Sequence, residues 1–227
     1  NNNPDRCKSL ITYGGQEMIG HLIDGLVQGG IKRFVFCAGE HTLQPVREIV
    51  QKKGIQAIVE HRHHKTYRRI PLVWQDQMED QFLFVCGHHP LPSSFVSQLV
   101  TASTESDCVM TSYSSLLYPL RGKSHEIVYE GESREFCEAE IQPDAEITDH
   151  KYVRNPYVVK KDIIGIAHSL DFKYSFSYYI LRYWHMGGSV SVVEATMPPE
   201  FDYDDELDRT RLFIDSLTVQ LASFGTI

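Results

Sequence analysis

The chain has 227 residues, 42% of them hydrophobic, enough to bury a sizeable core in one α/β domain with or without a small appendage. Its formal net charge of −8 excludes a broad cationic surface, and with it nonspecific nucleic-acid binding. No run of 18 apolar residues and no secretory leader is visible, so the expectation is a soluble cytoplasmic protein with no membrane partner. The five cysteines are scattered without a CxxC pair, which points to reduced, mostly buried thiols rather than a disulfide framework.

Residues 1–7 (NNNPDRC) are polar. SLITY (9–13) is a short apolar run that stops at Gly14-Gly15. Met18, Ile19, Leu22, Ile23, Leu26 and Val27 then recur at helical spacing until Gly29 and Gly30. KRFVFCAG (32–39) reads as a buried strand. Thr42 is a potential cap for a helix carrying Leu43, Val46, Ile49 and Val50, closed by Gly54. IQAIVEH (55–61) is the next strand. A helix follows over about 66–78, then a strand over 82–86, a helix from Pro92 to Ala102, and a strand at 107–113.

The strands of this half are continuous apolar runs, as in a mostly parallel sheet covered on both faces. Ligands of such sheets sit at the carboxyl ends of the strands. The second half changes character. HEIVYEGESREFCEAEI (125–141) reads as a hairpin turning near Gly131–Ser133, and NPYVVKK (155–161) as a strand. Asp162 is placed to cap a short helix over 163–170. An aromatic helix at about 173–186 stops at Gly187-Gly188, SVSVVEAT (189–196) is a strand, and an acidic turn leads into a final helix. The expected organisation is a single domain over 1–227, with a hairpin-containing insertion at about 114–154.

Four clusters carry chemistry. Lys8, just before an apolar run, could meet a phosphate as a point charge, or be a solvated surface lysine. EHRHHKTYRR (60–69) has eight charged or histidine residues in ten; it suits phosphate binding at a strand end, or is a solvated basic loop. A zinc site from His61, His63 and His64, with His88 and His89 after a neighbouring strand, is a weaker alternative, because adjacent histidines rarely converge on one ion. FLFVCGHHP (82–90) ends a buried strand on two histidines, where a magnesium site would need carboxylate oxygen. In EFDYDDELD (200–208) the carboxylates either favour a helix N-terminus or supply oxygen to magnesium.

The order of these pieces resembles the sugar-nucleotide and phospho-alcohol nucleotidyltransferases, which have a three-layer, Rossmann-like, GT-A-like fold. The resemblance spans nearly the whole chain. CKSLITYGGQEMIGHLIDGLVQGGIKRFVFCAG is similar to the family's lysine–strand–GG–helix–strand segment. IVEHRHHKTYRRIPLV stands in the place of a strand, loop and Gly-Thr-Ala turn. FLFVCGHHP stands in the place of the strand ending in Gly-Asp, NPYVVKKDII resembles a late strand and helix, and FDYDDELDRTR resembles a terminal Asp-Thr-Pro-Glu-Asp turn.

The resemblance implies an enzyme that transfers a nucleotidyl group from a nucleoside triphosphate to a small phosphorylated acceptor with release of pyrophosphate, using Mg2+. It assigns Lys8 to the phosphates as the catalytic lysine. Gly14, Gly15, Glu60, Thr66 and Gly87 fall on the nucleotide side, Asp202 or Asp204 at an acidic metal position, and His88 at the metal-binding aspartate.

The departures are specific. The turn glycine and alanine are Lys65 and Tyr67, and the metal aspartate is His88. The family's first strand and its Gly-rich, Arg-ending loop, which wraps phosphates with backbone N–H groups, have no counterpart before Lys8. Either the chain is a fragment or that loop is absent. These departures imply the alternative of a catalytically impaired binding or scaffolding domain that keeps the fold. The base, the acceptor and the oligomeric state are not encoded in any motif.

Overall fold

The computed structural model describes residues 7–61, 78–118, 124–130, 135–141, 151–165, 176–199 and 207–216. The chain forms two compact units, one from residues 1–73, 86–97 and 200–227, the other from 74–85 and 98–199. The expected helix over 66–78 lies almost entirely outside the described residues.

In the first unit, a 3-10 turn (Lys8–Leu10) leads into a hairpin of β1 (Thr12–Tyr13) and β2 (Gln16–Glu17). The run SLITY is therefore not one strand, as its composition suggests. Gly14 (φ 58°) and Gly15 (φ 80°) fold the chain back so soon that Thr12 and Tyr13 pair locally with Glu17 and Gln16. A two-residue hairpin turn with both residues left-handed requires this dipeptide chemistry.

α1 (Met18–Gln28) follows directly and buries Met18, Ile19, Leu22, Ile23 and Leu26, the face its spacing indicates, while Val27, also counted to that face, is exposed. β3 (Arg33–Ala38), α2 (Glu40–Lys53) and β4 (Gln56–His61) form a strand–helix–strand unit with parallel register from Arg33↔Gln56 to Ala38↔His61. One sheet face, with Phe36, Ala38, Ala57 and Val59, packs on Val46, Ile49 and Val50 of α2 and on Ile19 and Ile23 of α1. Thr42 does not cap α2. The helix begins earlier, from extended Gly39, whose carbonyl already receives the Thr42 and Leu43 N–H groups, and the Thr42 hydroxyl donates to the same carbonyl at 3.1 Å. Gly54, left-handed at φ 62°, closes α2 as expected.

The second unit carries a mixed six-stranded sheet. β5 (Gln81–Phe84), β6 (Cys108–Ser114), β7 (Ser124–Glu130), β8 (Glu135–Ile141), β9 (Lys151–Lys160) and β10 (Val190–Glu194) run in the order β10-β6-β9-β7-β8, with β5 also on β9. β10 and β6 are parallel, while β9 runs against β5, β6 and β7. The parallel character read from the apolar strands thus holds for β3–β4 and β6–β10. The expected hairpin is present as β7–β8. Short α4 (Phe176–His185) buries Tyr179, Ile180 and Leu181 over Cys108, Met110, Tyr157 and Val159.

β6 is buried along its whole length although its second half is polar. β9 explains this. The register slips between Met110 and Thr111, leaving Asn155 and Pro156 outside the ladder with β6. The Tyr113 hydroxyl donates to the Asn155 carbonyl (2.9 Å) and the Thr111 hydroxyl to the Pro156 carbonyl (2.7 Å). Side chains of one strand thus satisfy the backbone acceptors that a bulge releases in its neighbour.

At the other end of β6, Asp107 accepts from the Tyr183 hydroxyl (2.6 Å) and pairs with Lys160 (2.9 Å). Gly188 makes the first bond feasible, since a Cβ there would collide with the Tyr183 ring. The Tyr183 hydrogen bond, then Lys160, hold the Asp107 carboxyl below its usual range, while the hydrogen bond to Asp107 raises both Tyr183 and Lys160. Burial pushes the neighbouring Cys108 thiol up to about 12, so it is an inert core group.

The first unit depends on a close approach. A Cβ on Gly25 would fall on the Leu91 carbonyl oxygen, and one on Gly29 on the Val96 side chain at the start of α3 (Ser93–Ala102). Alanine gains about 1 kcal/mol over glycine in a helix interior, but such an overlap costs about 3 kcal/mol. Gly25→Ala should therefore lower stability by about 2 kcal/mol, whereas Gly20→Ala, whose Cβ meets only the flexible Gln16 side chain, should cost much less; urea titration of the two variants makes the comparison. For Asp107, whose folded pKa is depressed, the stabilisation is present above about pH 4, the unfolded carboxylate range, and is lost as pH falls through the lower folded value. Asp107→Asn should flatten this acid limb, measured as thermal midpoint against pH.

Candidate functional site

The turn that carries Lys8 and the histidine-bearing tip, 75 residues or more apart in sequence, meet in the first unit. The 3-10 turn places Ser9 against Gly87: a Cβ on Gly87 would stand 3.5 Å from the Ser9 Cβ and 3.8 Å from Ile19 Cδ1. Both are ordinary contacts, so the two segments touch without strain. Lys8 and His88 are the chain neighbours of this touching pair, and both are half-buried. The Cys7 thiol lies 3.0 Å from the Ser9 hydroxyl. Leu10, at the end of the same turn, packs against the buried cluster of Ile19, Ile23, Ala38, Val46, Ile49 and Val50, on which Val59 of β4 also packs. Glu60 follows on β4, exposed and paired in register with Cys37; His61 is the next residue.

The tip is a tight turn, with the His89 N–H donating to the Cys86 carbonyl at 3.0 Å. His89 is 2% exposed, a buried residue of this turn. The Nε2 atom of His88 is also shut off from solvent. α1 holds the arrangement from beneath, through Ile19 below Gly87 and through the Gly25 and Gly29 contacts with residues 91–96.

Gly14 and Gly15 occupy a different place, the tip of the β1–β2 hairpin, with open space where side chains would be. The hairpin is anchored to helix α5 (207–216). Ile11 and Tyr13 pack with Met18, Leu207 and Ile214. The Tyr13 hydroxyl donates to Asp215 at 2.6 Å, a bond that raises the phenol's pKa, and the Arg211 guanidinium lies over its ring at 5.7 Å. Thr66, Asp202 and Asp204, together with His63 and His64 of the zinc alternative, lie outside the described residues.

The donor set at the tip does not suit magnesium. The turn after β5 carries imidazole side chains, and magnesium takes oxygen ligands in octahedral array. Among the described residues no three His, Cys, Asp or Glu side chains are grouped to hold any metal ion. No described helix is long and apolar enough to cross a membrane.

Sequence reasoning missed Ser9, Cys7 and the two close-packed glycines. The spacing Gly25-x-x-x-Gly29 is a legible sign of close approach by another segment, but the partner, 66 residues further on, carries no mark of it.

Comparison of the whole chain with solved structures shows the nucleotidyltransferase fold. The 4-diphosphocytidyl-2C-methyl-D-erythritol synthase of Anaerococcus prevotii superposes with a TM-score of 0.66 at 10% identity, covering 91% of this chain and 93% of that one. The inositol-1-phosphate CTP transferase of T. maritima gives 0.66 at 15% identity, covering 93% and 89%. A glucose-1-phosphate thymidylyltransferase of Bacillus anthracis, so described provisionally, gives 0.70 at 15% identity, covering 91% and 85%. No family model matches the sequence, and no curated protein does.

Because a Cβ at Gly87 meets only ordinary contacts, Gly87→Ala should fold with a stability within about 0.5 kcal/mol of the parent, checked by thermal unfolding. Any effect it has on ligand binding then reports the approach of a ligand to the tip.

Proposed function

We propose that this chain is a nucleotidyltransferase-like protein of the cytoplasm, a single domain with a β-hairpin insertion. It binds a nucleoside triphosphate where the Lys8 turn meets the Gly87 tip, and passes the nucleotidyl group to a small phosphorylated acceptor, a sugar phosphate or phospho-alcohol. The acceptor phosphate oxygen attacks the α-phosphorus and pyrophosphate leaves. The observation that supports this most is the contact of Ser9, the neighbour of Lys8, with Gly87, in a fold shared with enzymes whose names specify cytidylyl and thymidylyl transfer.

In this reading Lys8 carries positive charge to the phosphates, where charge-assisted contacts matter most. Glu60 at the end of β4, Thr66 beyond it, and the Gly14-Gly15 hairpin belong to the nucleotide side. Asp202 and Asp204 are the oxygen donors that magnesium would require, and what a bound magnesium ion would supply is charge neutralisation on the phosphates. His88 favours a second reading, a binding or scaffolding domain that keeps the nucleotide and has lost transfer.

The purified chain, incubated with each of the four common nucleoside triphosphates, a panel of sugar phosphates and phospho-alcohols, and Mg2+, should release pyrophosphate with at least one pair. Lys8→Ala should lower that rate by about 100-fold. Nucleotide binding without release in any pair would leave the scaffolding reading; no binding of any triphosphate would end both.

A further inference from the structure

Near its carboxyl end β6 carries a buried hydroxyl that the sheet does not use. Ser112 is 1% exposed, and its Oγ is closed to solvent and has no hydrogen-bond partner among the described residues. The hydroxyls of its neighbours Thr111 and Tyr113, on the other face, donate to carbonyls of β9. Register brings two charges onto the Ser112 face. Ser112 pairs with Glu194 of β10 and Val153 of β9, and Ser114 pairs with Lys151 of β9. Because β10 and β9 flank β6, Lys151 and Glu194 start about 10 Å apart, two strand spacings. Their side chains still meet, Nζ to Oε2, at 2.6 Å. The ion pair therefore crosses β6 on the face that carries Ser112. Lower on this face, Met110 and Tyr157 belong to the apolar core beneath α4. An ion pair with side chains 31% and 50% exposed adds little stability, and a buried hydroxyl without a partner subtracts from it. Stability does not explain the group. Chemically it is a donor, an acceptor and a hydroxyl able to be either, one from each of three adjacent strands. The two charges cancel, so the group has little to offer a phosphate. A vicinal diol, whose hydroxyls each donate and accept, matches it.

We propose that Ser112, Lys151 and Glu194 form a subsite for the vicinal diol of a sugar or polyol. The diol parts the ion pair, donating to the Glu194 carboxylate and accepting from the Lys151 ammonium, and through that opening the Ser112 hydroxyl gains a partner. The inference deepens the proposed function, on which it rests for the acceptor's phosphate. It narrows the acceptor to one that carries adjacent hydroxyl groups, and it places their recognition on residues that no motif of the sequence marks.

The test uses the full chain and three probes: glycerol 3-phosphate and glucose 1-phosphate, which carry vicinal diols, and propyl phosphate, which does not. Calorimetric titration, with and without nucleoside triphosphate and Mg2+, measures binding apart from transfer. At least one diol probe should bind about tenfold tighter than propyl phosphate. Glu194→Gln and Ser112→Ala should each weaken that probe by about fivefold or more and leave propyl phosphate unchanged. Where pyrophosphate is released, Glu194→Gln should raise KM for the diol acceptor and leave KM for the nucleoside triphosphate as it was. A purely structural Ser112 gives the opposite pattern: Ser112→Ala melts higher than the parent and binds the diol probe equally well, and that result would overturn the inference. So would equal binding of propyl phosphate and the diol probes, or no binding of either diol probe, and both leave the proposed function to its own assay. Selective diol binding, weakened by both substitutions, in a chain that releases no pyrophosphate would uphold the subsite and end the transfer reading.

Discussion

The first unit depends on two missing methyl groups. Gly25 and Gly29 strip one face of α1 down to backbone, and the Leu91 carbonyl and Val96 side chain occupy the space. From this contact outward, the geometry is constrained. α1 is tied at its start to the 3-10 turn, since the Met18 N–H bonds the Ile11 carbonyl at 2.9 Å. At its other end it grips the segment that follows Gly87-His88-His89. One rigid helix therefore holds both halves of the candidate site, and the Ser9–Gly87 contact follows from their common support. A site assembled on a helix is held more closely than one assembled on loops alone, which is why a close contact between two short turns can be maintained at all.

The second unit has a different problem and a different answer. Its sheet reverses direction at β9, and β9 cannot keep register with β6 along its whole length. The chain releases two residues, and the polar side chains Thr111 and Tyr113, which look wrong for a buried strand, receive the carbonyls that come free. The energetic logic is asymmetric: each such bond contributes about 1 kcal/mol net, but an unmet buried carbonyl would cost about 1–3 kcal/mol. The Asp107–Tyr183–Lys160 group performs a related task at the strand's entrance, where it fastens the aromatic helix α4 to β6 and β9 through one carboxylate.

How much of this was legible in the sequence follows from what is local. The helical face of α1, the stop at Gly54, the β7–β8 hairpin and the strand positions are written in spacing and turn residues, and they are found where the patterns place them. SLITY misled because its composition is strand-like, while the two glycines after it determine what it can pair with. Thr42 misled because a cap depends on where the preceding carbonyl points, and Gly39 had already taken that role. The reversal at β9 has no local sign, since an apolar run reads the same in either direction. At the site, Lys8 and Gly87 were visible as isolated features. That their segments meet was not, because the contact is made by Ser9 and supported by the glycines of α1, residues whose own chemistry is unremarkable.

The histidines of FLFVCGHHP show how burial changes a motif's meaning. Two adjacent histidines at a strand end look like a pair of equivalent donors, yet a one-residue step on a turn puts them in different surroundings. His89 is a core residue at 2% exposure, and His88 is half-buried with one ring nitrogen closed to solvent. A ligand pair for one ion would need both rings to converge, and a magnesium site would need neither. What the turn fixes is the position of Gly87 against Ser9 and Ile19, a packing contact in which neither ring takes part.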